Sequence, residues 1–161
     1  MNNIVKQGKT GFNISLKGRA LRLLSGREYS RAELERKLAS FEEVPGELAK
    51  ALDELQAKDF INEQRVVDSV LYRRSAKLGA ARIKQELQSK GLDAGAVLDA
   101  VELLKSTETE RAREVWRKKF GQAPASAAER GKQMRFLMSR GFGSEAIRRV
   151  VSGSDEQGDA S

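Results

Sequence analysis

One helical phrase recurs three times along this chain, at intervals of 49 and 50 residues. The second copy, Arg82 to Leu92, reads RIKQELQSKGL, and the third, Lys132 to Phe142, reads KQMRFLMSRGF. Both end in a basic residue, a glycine and an apolar residue. The first copy, Ala32 to Phe41, reads AELERKLASF and keeps the apolar spacing without the glycine. Leu38, Leu87 and Leu137 fall in register, as do Leu48, Val97 and Ile147, and then Leu52, Val101 and Val151. A period of this length marks a fold built as an array of small units. It directs the question of function toward a surface rather than a catalytic core.

Each unit reads as three helices. Residues 16–58 form the first: Leu16, Ala20, Leu23 and Leu24 share a face, Leu34 and Leu38 make the second stripe, and Leu48, Leu52 and Leu55 the third. Residues 59–106 form the second, with Val66, Val67, Val70 and Leu71, then Ile83 and Leu87, then Val97, Leu98, Val101 and Leu104. Residues 107–151 form the third, with Ala112, Val115, Trp116 and Phe120, then Met134, Leu137 and Met138, then Ile147, Val150 and Val151. Ser30 with Glu33 and Ser126 with Glu129 have capping-box spacing, and Asn62 suits an N-cap. Gly91 and Gly141 suit left-handed helix stops, and Pro45 suits the start of a helix. Val66 is expected in the core, and Trp116 at helical spacing with Val115 and Phe120 is expected there too. Residues 1–15 read as a flexible arm and residues 152–161 as a disordered acidic tail without a large apolar side chain. The acidic pairs Glu42-Glu43 and Asp155-Glu156 are expected in solvent.

The chain has no histidine and no cysteine. Zinc sites and triads built on those residues are therefore excluded, and no metal or cofactor is expected. No GxxxxGK[ST] phosphate loop occurs, and no apolar run reaches the length of a membrane span. Without disulfides or an apparent secretion signal, a cytoplasmic protein is expected; the chain is separately expected to be monomeric and non-enzymatic.

The formal net charge is +7, unevenly spread. Residues 19–58 sum to zero, residues 66–92 to +4, residues 111–149 to +8, and the last ten to −3. Candidate partner- or DNA-binding residues are therefore Arg73, Arg74, Lys77, Arg82 and Lys84 in the second unit, and Arg117, Lys118, Arg135, Arg140, Arg148 and Arg149 in the third. Arg111, Arg113 and Lys119 join the cluster around Trp116. A basic field of this size attracts polyanions or an acidic protein groove. Helix pairs with a glycine turn also occur in helix-turn-helix DNA readers, so a stand-alone nucleic-acid-binding protein remains open, as does a helical adaptor.

Three stretches carry a family resemblance. They are the run from Ala20 to Leu34 with Leu38; Tyr72-Arg73-Arg74, Leu78-Gly79, Ile83, Glu86-Leu87 and Lys90-Gly91-Leu92; and Phe136-Leu137, Arg140-Gly141-Phe142 and Ile147. In order and spacing they resemble the RecX regulatory proteins over about residues 19–151. The stretch Asn62-Glu63-Gln64-Arg65-Val66 departs from the acidic pair and aromatic that usually open the family's second unit. The resemblance implies an all-α fold of three tandem three-helix repeats, winged-helix- or homeodomain-like, forming an elongated curved array. It also implies a bacterial inhibitor of the recombinase RecA. Such an inhibitor lodges in the groove of the RecA–single-stranded DNA filament, blocks its extension, and suppresses strand exchange, ATP hydrolysis and LexA cleavage.

Overall fold

Ser15, Ser30, Asn62, Asp93 and Ser126 each accept a hydrogen bond from a backbone amide in the helical turn that follows. Short polar side chains at these points satisfy amides that a helix cannot satisfy internally. The computed structural model describes residues 13–153, and among them are nine α-helices and no strand. The first three are α1 (Leu16–Leu24), α2 (Arg31–Leu38, continued by a 3-10 turn at Ala39–Phe41) and α3 (Glu47–Ala57). Next come α4 (Glu63–Arg74), α5 (Ala80–Ser89) and α6 (Ala94–Ser106). The last are α7 (Glu108–Lys119), α8 (Ala127–Ser139) and α9 (Ser144–Ser152). The expected arm and tail fall mostly on residues 1–12 and 154–161, outside the described residues.

Each set of three helices closes around its own core. Leu34, Leu38, Leu52 and Leu55 anchor the first, Val66, Val70, Ile83 and Leu87 the second, and Ala112, Leu137, Phe142 and Ile147 the third. Each buried Leu, Ile or Val contributes about 1.5–3 kcal/mol. Two stripe assignments need correction: Leu98 and Met138 are each 60% exposed, because the first flanks Val97 and the second flanks Leu137 on the outer side of its helix. Trp116 is half-buried against the third core, and its Nε1–H donates to Gln133 Oε1 at 2.8 Å. Glu42 is not simply solvated. It accepts the Leu48 amide at 2.8 Å and so caps α3, whose N-cap, Gly46, has no side chain to do so. The second capping box is half-formed: Ser126 accepts from the Glu129 amide, but the Glu129 carboxylate turns to the Ala125 amide at 2.7 Å.

The glycine stops do more than end helices. At the seam between the second and third units, the C-terminal turn of α8 meets the N-terminus of α5. The Gly79 amide donates to the Arg140 carbonyl at 2.8 Å, and the Ala81 amide to the Gly141 carbonyl at 3.3 Å. The Ala80 amide between them donates to Glu108 Oε1 of α7 at 3.0 Å. Since α5 has no side-chain cap of its own, the third unit supplies it. The negative end of α8 also faces the positive end of α5, a favourable alignment. A Cβ at Gly79 would lie 2.2 Å from the Gly141 oxygen, so only glycine permits this approach. Gly141 itself has φ +87°, which a side chain rarely adopts.

The seam between the first and second units has the same form and different chemistry. The turn of Lys90 and Gly91 docks on the start of α2, where the Ser30 hydroxyl donates to the Lys90 carbonyl at 2.5 Å. That hydroxyl also accepts the Glu33 amide, and Glu33 in turn accepts the Ser30 amide, completing the capping box. The Glu33 carboxylate further holds Arg27 at 2.9 Å and the buried Lys90 ammonium at 3.3 Å. In both seams an arginine of the preceding unit donates to the carbonyl two residues before the glycine: Arg36 to Ser89 at 2.8 Å, Arg82 to Ser139 at 3.0 Å. The first phrase, which lacks the glycine, instead ends in the exposed turn Ala39–Phe41.

Two outcomes follow from the seams. Gly79→Ala should lower stability by about 3 kcal/mol through backbone overlap, while Gly46→Ala, with open space around it, should lose only about 1 kcal/mol; urea unfolding of both variants checks this. Burial opposes ionisation of Glu33, but hydrogen bonds from Arg27 and the Ser30 amide, with the Lys90 charge, outweigh it and hold the carboxyl below its ordinary value. The unfolded chain then binds more protons in acid, so this stabilisation is complete above the ordinary value of 4.5 and is lost as pH falls through the lower folded value. Glu33→Gln should flatten the acid limb of a stability–pH profile and lower stability at neutral pH.

Candidate partner-binding surface

The basic residues divide into those that hold the array together and those that face outward. Lys90 belongs to the first group, buried beside Glu33. So does Arg111 of α7. Its guanidinium donates to the carbonyls of Ser75 at 2.9 Å, Leu78 at 2.6 Å and Leu104 at 2.9 Å. It thereby ties the end of α4, the following turn and α6 to the third unit. Burial pulls its pKa down, against the attraction of Glu108. A guanidinium can serve several carbonyls in one plane, which an ammonium cannot.

Among the expected site residues, Arg73 and Arg74 end α4, where the basic side chains also complement the helix dipole. Both reach Glu86 of α5, at 3.9 and 3.2 Å, so the carboxylate draws the two guanidinia together. Lys77 lies exposed in the turn that follows. Arg82 is partly committed to the seam through Ser139, and its stem packs on Gly141. Lys84 faces a shallow groove of about 260 Å³ across that seam, together with Lys105, Glu108, Gly141 and Gly143. Lys105 escaped the sequence reading. Its signal was the four-residue spacing from Val101, which puts it at the rim of the same helix face.

In the third unit, Arg140 and Lys119 flank the Phe136 ring at 5.0 and 5.4 Å. Phe136 meets Phe120 edge to face with ring centroids 5.5 Å apart. Arg117 lines an open cleft of about 790 Å³ between α7 and α9, with Arg113, Trp116 and Arg149. Arg117 and Lys118 share Glu114 at 2.9 and 3.9 Å, and Arg149 pairs with Glu145 at 2.8 Å. Arg148 is exposed on α9 outside that cleft lining, and Arg135 folds over Gly131 of its own helix. The expected residues thus occupy several neighbourhoods: a pair at Glu86, a seam groove, an aromatic-backed pair and a cleft. Among the described residues no cluster of acids could hold a metal ion, and no helix is long and apolar enough to cross a membrane.

Three three-helix units with cations on the second and third define a class of helical array that presents a surface. Comparison with known proteins specifies the family. Residues 17–55 match the model for the first three-helix domain of RecX, and residues 106–151 that for the third. The regulatory protein RecX of Leptothrix cholodnii is 53% identical over 91% of this chain and 93% of its own. That of Herminiimonas arsenicoxydans is 44% identical over 91% of this chain and 97% of its own. The chain belongs to the RecX family of regulatory proteins. A crystal structure of RecX from Lactobacillus salivarius superposes with a TM-score of 0.73 over 88% of this chain and 95% of that one, at 22% identity, a likeness of fold.

The division of the cations has a measurable consequence. Arg111→Met should cost about 2–3 kcal/mol in urea unfolding, since the Ser75 and Leu78 carbonyls lose their guanidinium donor and Leu104 keeps only Thr107, and Arg111→Lys should not restore it. Arg117→Ala, at an exposed i,i+3 pair, should stay within about 0.5 kcal/mol of the parent.

Proposed function

We propose that this chain is a non-enzymatic negative regulator of RecA, acting in the bacterial cytoplasm by occupying the groove of the RecA–single-stranded DNA filament. Occupancy blocks filament extension and suppresses ATP hydrolysis, strand exchange and LexA cleavage. Family membership over nine-tenths of the chain carries this reading. The outward cations support it, because a filament displays phosphates and acidic loops to which they are complementary. Arg73, Arg74, Lys77, Lys84 and Arg140, with Lys105, form the part of the surface assigned to the filament. Arg117, Lys118, Arg135, Arg148 and Arg149 extend it over the third unit, and Arg82 contributes through the seam it shapes. No covalent chemistry is needed for inhibition by occupancy, and the protein works as a monomer.

The rival is direct binding to nucleic acid without RecA, favoured by the same cations. The two readings separate in one experiment. RecA ATPase on single-stranded DNA is measured with the parent protein and with charge reversals at Arg73, Arg74, Lys84 and Arg140, which leave the cores untouched. Each reversal should weaken inhibition severalfold with the chain still folded at the assay temperature, the reversals at Arg73 and Arg74 lowering the unfolding midpoint slightly through loss of the Glu86 pairs. Full inhibition by all four would refute the surface assignment. Tight, steeply salt-dependent binding to naked DNA that accounts for the whole effect on RecA would instead favour the rival.

A further inference from the structure

The first unit leaves exposed a turn whose counterparts in the other two units are covered. In the second and third units the C-terminal turn of the middle helix is covered by the preceding unit, through Lys90-Gly91 and Arg140-Gly141. In the first unit the corresponding turn, Ala39–Phe41, is exposed. By register Phe41 stands where Lys90 and Arg140 stand, and it is 46% exposed. Beside it lies a notch of about 270 Å³ lined by Arg19, Arg22, Leu23, Lys37, Leu38 and Phe41. Its floor is apolar. Its rim holds three cations, and its lining includes no carboxylate. The Arg19 guanidinium lies 3.9 Å over the Phe41 ring, holding the aromatic edge of the notch in place. The acids Glu43 and Glu47 line an adjoining depression that shares Arg19 and Phe41 with the notch, which leaves Arg22 and Lys37 as the cations away from them.

We propose that this notch binds an acidic segment of a partner protein that inserts one apolar side chain between Leu23, Leu38 and Phe41. Three features select that occupant. The apolar floor needs an apolar anchor, which a phosphodiester backbone lacks. The cationic rim needs carboxylates, and desolvated charge complementarity fixes their register. The chain's own termini do not meet both needs. Residues 1–12 carry Lys6 and Lys9 and no acid, and residues 154–161 carry acids and no large apolar side chain. The first unit, neutral overall, thus contributes a local site of its own, separate from the cations of the other two.

The test uses the full chain and a short dye-labelled peptide of Asp and Glu with one central Leu, followed by fluorescence anisotropy at physiological salt. Arg22→Gln with Lys37→Gln should weaken binding about tenfold, and Phe41→Ala by a similar factor, with unfolding midpoints unchanged. A peptide lacking the Leu should also bind about tenfold less tightly. Equal binding by these variants, or equal binding of the Leu-free peptide, would overturn the proposal. Displacement of the peptide by oligothymidylate at matched charge concentration would overturn it too, by making the notch a general polyanion site. RecA enters none of these measurements, so their failure leaves the filament reading standing.

Discussion

Three consecutive amides at the start of α5 depend on another unit for their hydrogen bonds. Gly79 and Ala81 donate to the last turn of α8, and Ala80 to Glu108. Without the third unit these donors would be left to solvent, and with it the second helix of one unit becomes the cap partner of the next. The order of the second and third units follows from that contact. The glycine at Gly79 is needed because two backbones touch there. The glycine at Gly141 is needed because the turn must run left-handed to present its carbonyls. Arg111 locks the same seam from the side, through carbonyls of the second unit.

The apolar skeleton was legible in the sequence because helix stripes are local. Leu34 with Leu38, Ile83 with Leu87, and Ile147 with Val150 and Val151 all reach the core. The caps at Ser30 and Asn62 were legible for the same reason, since their partners lie three residues away. The docking role of the glycine stops was not. Ser30 and Lys90 are 60 residues apart, and a spacing of that size carries no local signature. Leu98 and Met138 were misplaced because each is adjacent to a true core residue, and a stripe read by eye is wider than the buried face.

Charge was the least legible property. A sum over residues treats Lys90 and Arg111 as surface cations, yet one is buried beside a carboxylate and the other spans three carbonyls. A cation at a helix end next to a glycine can serve the fold as readily as a partner, and only tertiary structure separates the two. Lys105 moved in the opposite direction, from unremarked to a groove-lining group beside Lys84. The outward cations that remain lie mostly on the second and third units, with Arg19, Arg22 and Lys37 on the rim of the first unit's notch. The repeat supplies a scaffold whose seams consume some of its charges and whose open faces carry the others.

The central claim is that the third unit caps α5 of the second. Backbone amide hydrogen exchange at Gly79 and Ala81 tests it most directly, because no other described group accepts from these amides. The account predicts slow exchange at both, close to that of the α5 amides around Ile83. Exchange at the rate of an unstructured peptide, with the α5 interior still protected, would contradict it.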